Sequence, residues 1–250
     1  MQPHAPALPP PWGMAHLSDP ETLAVALAGH IGAALRSELD HTPRAVLILS
    51  GGTTPRRLFS VLAQAALPWS RVTIWPADER AVPITHPRSN TGALQAALRG
   101  TPAEAAELID MSVPDAGSVD AVAAALSDRW AQGPAPAAVT ILGMGLDGHT
   151  ASLFPDAAAL DRGLDPAATP GVLVISAPGA PEPRLSLNLP ALTASRLVAL
   201  HIEGDEKLKV LTRALAQPAP TRPPAAETPI GRLARAMGSR LSVFWCPDPS

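Results

Sequence analysis

The sequence predicts an α/β fold, with a mostly parallel sheet flanked by helices. Two observations carry this. Short apolar runs bounded by polar residues recur at 45–49, 72–75, 139–142, 172–175, 196–202 and 241–245. Runs of that length suit strands buried on both faces, as in a parallel sheet. Stretches of helical periodicity lie between most of them, and turns rich in glycine or charge follow them. Such alternation builds parallel strands joined by helical crossovers. The chain has 250 residues, which fits one sizeable α/β domain, and no internal repeat divides it.

Residues 1–18 are expected to be a flexible lead-in, because Pro9, Pro10 and Pro11 forbid a helix there. Residues 19–250 then form the single domain. Ser18 or Asp19 caps a first helix with Pro20 early in it, and Leu23, Val25, Ala26, Ile31 and Leu35 make an approximate apolar stripe. Residues 45–49 form a central strand and 56–62 the helix after it, with Pro55 placed at its first turn. Residues 72–75 are a second strand, and Ser89 or Asn90 caps the next helix. Two helices are expected within 101–135, around a loop at 113–118, and 133–136 is a connector. Residues 156–170, rich in Asp, Pro and Gly, read as loop. From 183 to 188 the pattern alternates, with Arg184, Ser186 and Asn188 on one face and Leu185 and Leu187 on the other. A short helix follows at 190–194, then a strand to Ile202 and a helix through Leu215. A proline-rich linker at 217–227, a helix at 230–237 and a last strand finish the chain.

Chemistry gathers where strands end. Ser50-Gly51-Gly52-Thr53-Thr54-Pro55 puts two glycines and three hydroxyls between a strand and a helix. Free backbone N–H groups there suit an anion. The Gly-Lys-Ser/Thr ending of a Walker loop is missing, and an ordinary tight turn is the alternative. Asp78-Glu79-Arg80 clusters charge at the end of the second strand. The longest such block is Gly143-Met144-Gly145-Leu146-Asp147-Gly148-His149, straight after Leu142. Carboxyl ends of strands are where open α/β sheets bind ligands. Histidine suits proton transfer near neutral pH, so His149 is the candidate general base of a hydrolase. Asp147 is a candidate to hold it, although residues two apart on a turn need not touch. Lys207 falls in the first turn of a helix, where the dipole disfavours a cation. It is either a surface lysine or one aimed at a bound anion.

Composition narrows the classes. The formal net charge is -3, with no basic block, so nothing in it favours nucleic acid or an acidic membrane surface. No run approaches the roughly 20 apolar residues of a membrane helix. The N-terminus lacks the charged and apolar regions of a secretory signal. The one cysteine, Cys246, rules out an internal disulfide. A cytoplasmic protein is the expectation.

These blocks together resemble the 6-phosphogluconolactonase family, in its glucosamine-6-phosphate-deaminase-like form. They are 49–55, 78–80 with Ser89-Asn90, 143–155, 183–187 and 204–207, in the family's order and spread over most of the chain. Asn188 departs from the pattern, which has threonine there. The resemblance implies a Rossmann-like sheet with additional strands. It implies hydrolysis of 6-phospho-D-glucono-1,5-lactone to 6-phosphogluconate in the pentose phosphate pathway, with no metal and no cofactor. Carried over, His149 is the base, with Asp147 and Arg80 beside it. Gly51, Gly52 and Thr53, with Arg184 and Lys207, hold the phosphate, Ser50 belongs to the same substrate-binding set, and Asp78, Arg80 and Asp147 line the sugar end. The implied partner is the small sugar-phosphate lactone, and the oligomeric state stays open. Two rivals are a glucosamine-6-phosphate deaminase-like isomerase and a non-catalytic sugar-phosphate-binding regulator. The isomerase carries a glutamate five residues after the histidine and a tyrosine after Asp-Glu. Here those places hold Phe154 and Arg80.

Overall fold

Asp19 starts the first helix. Its carboxylate accepts the Thr22 N–H at 2.8 Å, Pro20 follows, and α1 runs Pro20–Leu39. The buried stripe is Leu23, Leu27, Ile31 and Leu35, at the four-residue spacing of one helix face. Val25, expected in that stripe, is instead 54% exposed.

The computed structural model describes residues 7–52, 54–133, 136–216 and 227–248. Seven strands form one sheet, parallel throughout, in the order β1 (Gly13–His16), β10 (Leu241–Cys246), β9 (Leu197–Glu203), β6 (Val139–Leu142), β2 (Ala45–Leu49), β3 (Val72–Pro76) and β5 (Glu107–Leu108). Its inner strands are buried on both faces, which is why their sequences are apolar without alternation. On one face Leu47, Leu49 and Ile141 pack under α1, α2 (Arg56–Leu62) and α3 (Asn90–Leu98). On the other, Ile48, Leu142 and Leu200 pack under α4 (Val119–Gln132), α7 (Asp205–Ala216) and α8 (Pro229–Met237). Three further strands make a small antiparallel sheet, with β8 (Arg184–Leu187) between β4 (Asp78–Arg80) and β7 (Val172–Ile175). Two short helices, α5 (Leu160–Gly163) and α6 (Leu189–Thr193), complete the order.

Three expectations are corrected. The lead-in expected over 1–18 contains β1, paired in parallel with β10, and His16 stacks on Trp245 with ring centroids 4.7 Å apart. Prolines exclude a helix but not an edge strand, and the partner lies more than two hundred residues away in sequence. The first helix expected after residue 101 is one turn of 3-10 helix, Pro102–Ala105, followed by β5 on the edge of β3. The loop expected over 156–170 includes α5. The linker residues 217–226 and connector residues 134 and 135 lie outside the described residues.

One carboxylate joins the two sheets' junction to a helix. Glu79, in β4, is 0% exposed. Its Oε1 accepts the N–H groups of Arg80 at 2.6 Å and Asn90 at 2.8 Å. Its Oε2 accepts Ser89 Oγ at 2.9 Å and the Thr91 N–H at 2.7 Å. Ser89 Oγ in turn accepts the Gly92 N–H, so it is the N-cap of α3. Two of the orphan donors at the start of α3 are therefore met from β4 rather than by α3 itself. Hydrogen bonds to a charged acceptor are each worth about 1.5–3 kcal/mol, and stranding buried donors costs more. Glu79→Ala is expected to destabilise the fold by about 3 kcal/mol or more, read as a lower midpoint in urea unfolding. An unchanged midpoint would show that α3 is held elsewhere.

Candidate active site

The strand order reverses between β2 and β6. From β2 the chain builds outward through β3 and β5, then returns to β6 on the other side. Such a reversal leaves a crevice at the carboxyl ends, where open α/β sheets bind ligands. A cleft of about 230 Å³ opens there, lined from one side by Ser50–Gly52 and Thr54 and from the other by Gly143–Gly145 and His149.

The histidine is built by its own turn. Asp147 Oδ1 lies 2.6 Å from His149 Nδ1 and also accepts the His149 backbone N–H at 3.1 Å. Asp147 and His149 therefore touch, two residues apart. The turn is closed by Gly145 N–H on His149 O and Gly148 N–H on Gly145 O. A Cβ at Gly145 would sit 2.3 Å from His149 Nδ1 and 2.6 Å from Asp147 Oδ1, so only glycine leaves room for this pair. Phe154 lies against the imidazole, centroids 4.7 Å apart. Thr150 Oγ donates to Gly143 O at 2.9 Å and so ties the turn back to the end of β6. Ala151, also on the cleft, takes φ of 48°, a strained conformation for a residue with a Cβ.

The opposite wall comes from β4. Asp78 accepts Ser152 Oγ at 2.5 Å on Oδ2, while Asn90 Nδ2 donates to its carbonyl at 2.8 Å. The Asn90 amide fills the place where a Cβ on Gly51 would be, 2.0 Å from its Oδ1. The first glycine of the turn thus lets α3 meet the cleft. Arg80 lines the cleft and is braced by Nη1 on Arg88 O. Arg184 pairs with Arg80 across the β4–β8 ladder, half-buried, and does not line the cleft. Burial and the Arg80 charge push its guanidinium below the ordinary arginine value, opposed by Asp78.

At the anion turn, Lys207 Nζ reaches Thr54 Oγ at 3.3 Å. Its place at the start of α7 aims it into the cleft rather than at solvent. Burial lowers its pKa from 10.5, and the Glu203 charge opposes the shift. The α2 helix behind this turn is only seven residues long, so the turn itself carries most of the site's character. Thr53 lies outside the described residues.

The cleft thus gathers Ser50, Gly51, Gly52, Asp78, Arg80, His149 and Lys207 of the expected residues, with Asp147 just behind His149. Sequence reasoning missed Ser152, took Asn90 only as a cap, and overlooked His201, whose ring lines the same cleft. A polar His-x-Glu ending on an otherwise apolar strand was the available signal for His201. Among the described residues, no group of three or more His, Cys, Asp or Glu side chains converges as for a metal ion.

The profile of the family described as glucosamine-6-phosphate isomerases/6-phosphogluconolactonase matches residues 18–235. The chain is 40% identical over 232 residues to a 6-phosphogluconolactonase of Mesorhizobium japonicum, covering 92% of this chain and 93% of that one. It is 39% identical over 229 residues to the one of Rhizobium meliloti, covering 92% and 96%. Among solved structures, a 6-phosphogluconolactonase from Shewanella baltica superposes with a TM-score of 0.83 at 30% identity, covering 96% of this chain and 100% of that one.

Two outcomes follow from the geometry. Gly145→Ala should drive the imidazole off Asp147, and the Nδ1–H signal of the bonded histidine should vanish from the NMR spectrum. For Lys207, a lowered pKa means that the positive charge is lost earlier as pH rises. Inorganic phosphate affinity, measured by calorimetry, should therefore begin to fall, as pH rises, below the 10.5 of an ordinary lysine. Lys207→Gln should bind weakly throughout and lose that fall.

Proposed function

Because the chain belongs to the glucosamine-6-phosphate isomerase/6-phosphogluconolactonase family, we propose that it hydrolyses 6-phospho-D-glucono-1,5-lactone to 6-phospho-D-gluconate, with His149 as general base. The observation that carries this reading is one cleft holding both the His149–Asp147 pair and the Ser50–Thr54 turn. The two ends of a phosphorylated sugar lactone need those two chemistries side by side.

Asp147 accepts Nδ1–H, which sets the tautomer and leaves the Nε2 lone pair for the substrate. Nε2 takes a proton from water, whose oxygen forms a bond to C1. Negative charge gathers on the former carbonyl oxygen. Arg80 meets this charge, or a backbone N–H of the 143–148 turn other than those of Gly145 and Gly148, which bond within it. The C1–ring oxygen bond then breaks, and Nε2–H returns its proton to the leaving oxygen. Ser50, Gly51, Gly52, Thr53 and Lys207 hold the phosphate. Its binding energy acts remotely by fixing C1 against the base. Arg184, set behind Arg80, adds positive potential. Asp78 faces the sugar hydroxyls from its place between Ser152 and Asn90.

Phe154 favours this reading over the isomerase. An apolar ring packed on His149 cannot relay the protons that aldose–ketose exchange requires. No described helix is long and apolar enough to cross a membrane. We assign the reaction to the cytoplasm and to the oxidative pentose phosphate pathway as part of the same proposal.

His149→Ala should lower kcat by about 10²–10⁴-fold, the usual worth of general acid–base help, while KM changes little. Lactone hydrolysis is followed against the spontaneous rate. A variant with wild-type turnover would remove His149 from the mechanism. Ammonia release from glucosamine 6-phosphate should be absent, and its appearance would favour the isomerase instead.

A further inference from the structure

His201 is a buried imidazole that the mechanism above does not use. It stands in β9 one residue beyond Leu200, which pairs with Leu142, the last residue of β6. Its side chain therefore emerges at the carboxyl end of the sheet, and its ring lines the cleft. The residue is 2% exposed. Nε2 lies 3.1 Å from Glu203 Oε1. Nδ1 is buried and has no hydrogen-bond partner among the described residues. Ser50 Oγ, in the same lining, is the other such atom there. Leaving a buried polar atom unpaired costs free energy, so most find partners. Two unpaired buried atoms thus belong to residues that line one cleft, which also holds the Lys207–Thr54 contact, and a ligand with several oxygens would supply them with partners.

We propose that His201 is a further ligand of the substrate's phosphate, and that it holds a proton when the phosphate is bound. The proposal rests on the lactonase reading for the identity of the substrate, though not for the phosphate chemistry. With Nε2–H donated to Glu203, a neutral ring offers only a lone pair at Nδ1. A phosphate dianion also offers only lone pairs. The contact forms when one proton lies between them, taken from solvent or brought by the phosphate monoanion. Glu203 then faces the imidazolium at Nε2 and offsets its charge, an acid–histidine–anion relay. The reacting carbon is remote, so His201 acts on KM rather than on kcat.

Other ionisable groups share this end of the sheet. Lys207 comes from α7, Arg57 from α2, and Cys246 and Asp248 from the end of β10. Asp19 and His30 come from the start and the body of α1. Cys246 is pushed up to about 11 by burial. His149, Asp78 and Arg80 line the same cleft. His30 lies beyond Phe244, which pairs with His201 across the ladder, and its Nδ1 is bonded to Ala26 O. The phosphate's own second ionisation, near 6, affects wild type and variants alike.

The test compares 6-phosphoglucono-1,5-lactone with unphosphorylated glucono-1,5-lactone between about pH 6 and pH 8, where an imidazole changes charge. His201→Ala should raise KM for the phosphorylated lactone about tenfold or more, with kcat within about twofold. It should leave kcat/KM for the unphosphorylated lactone unchanged. His201→Asn keeps an N–H donor near the Nδ1 position. It should recover much of the affinity but lose the rise of KM with pH, which for one linked proton approaches tenfold per unit. Inorganic phosphate, titrated by calorimetry into the same proteins, reads the site without any turnover. If wild type hydrolyses neither lactone yet His201→Ala loses phosphate affinity, the lactonase reading falls and this one stands. Equal losses on both lactones, or phosphate affinity unchanged in His201→Ala, would overturn it. So would a pH dependence that persists in His201→Asn.

Discussion

The arrangement depends on where a single buried carboxylate sends its two oxygens. Glu79 sits at the joint between the parallel sheet and the small antiparallel one, with no exposure to solvent. Removing a charge from water is costly unless hydrogen bonds replace the hydration. Four donors do so here, three of them from Ser89, Asn90 and Thr91 at the start of α3. Because the chain must satisfy Glu79, α3 cannot slide or rotate on β4. Asn90 is thereby held against both Asp78 and Gly51, and one wall of the cleft is joined to the other. The neighbours of Glu79 in sequence, Asp78 and Arg80, face the cleft as a consequence of that anchoring.

The His149 end of the cleft is organised on a smaller scale. Asp147, His149 and Phe154 belong to one short segment, and their contacts are local. The close approach that permits them is the missing side chain of Gly145. A long-range fold is needed only to aim this preformed unit, and Thr150 on Gly143 and Ser152 on Asp78 do that. Such division suits catalysis, since a base must be held to a fraction of an ångström while the rest of the site supplies position.

The anion end is organised oppositely. Its parts come from the end of β2 and from β9 with α7, two stretches far apart in sequence that meet because the strand order reverses between β2 and β6. Lys207 is desolvated there, and Ser50 Oγ and His201 Nδ1 are buried and unpaired among the described residues.

The sequence by itself determined the alternation of buried strands and helices, helix starts at Ser18 or Asp19 and at Ser89 or Asn90, and the glycine, acid and imidazole placement of the 143–155 block. These follow from periodicity, side-chain capping and local glycine placement, which act over a few residues. It also named most of the cleft, since residues at strand ends project into the crevice of an open sheet. Only the tertiary structure decided that residues 13–16 add an edge strand to β10, that β5 replaces an expected helix, and that β4, β7 and β8 form a separate sheet. It alone put Arg184 behind Arg80, brought His201 beside the anion turn, and turned Asn90 from a cap into a wall. The reason is the same in each case. Strand partners and ladder neighbours are chosen by hydrogen bonding and burial between distant segments, and no local pattern records which segment will supply them.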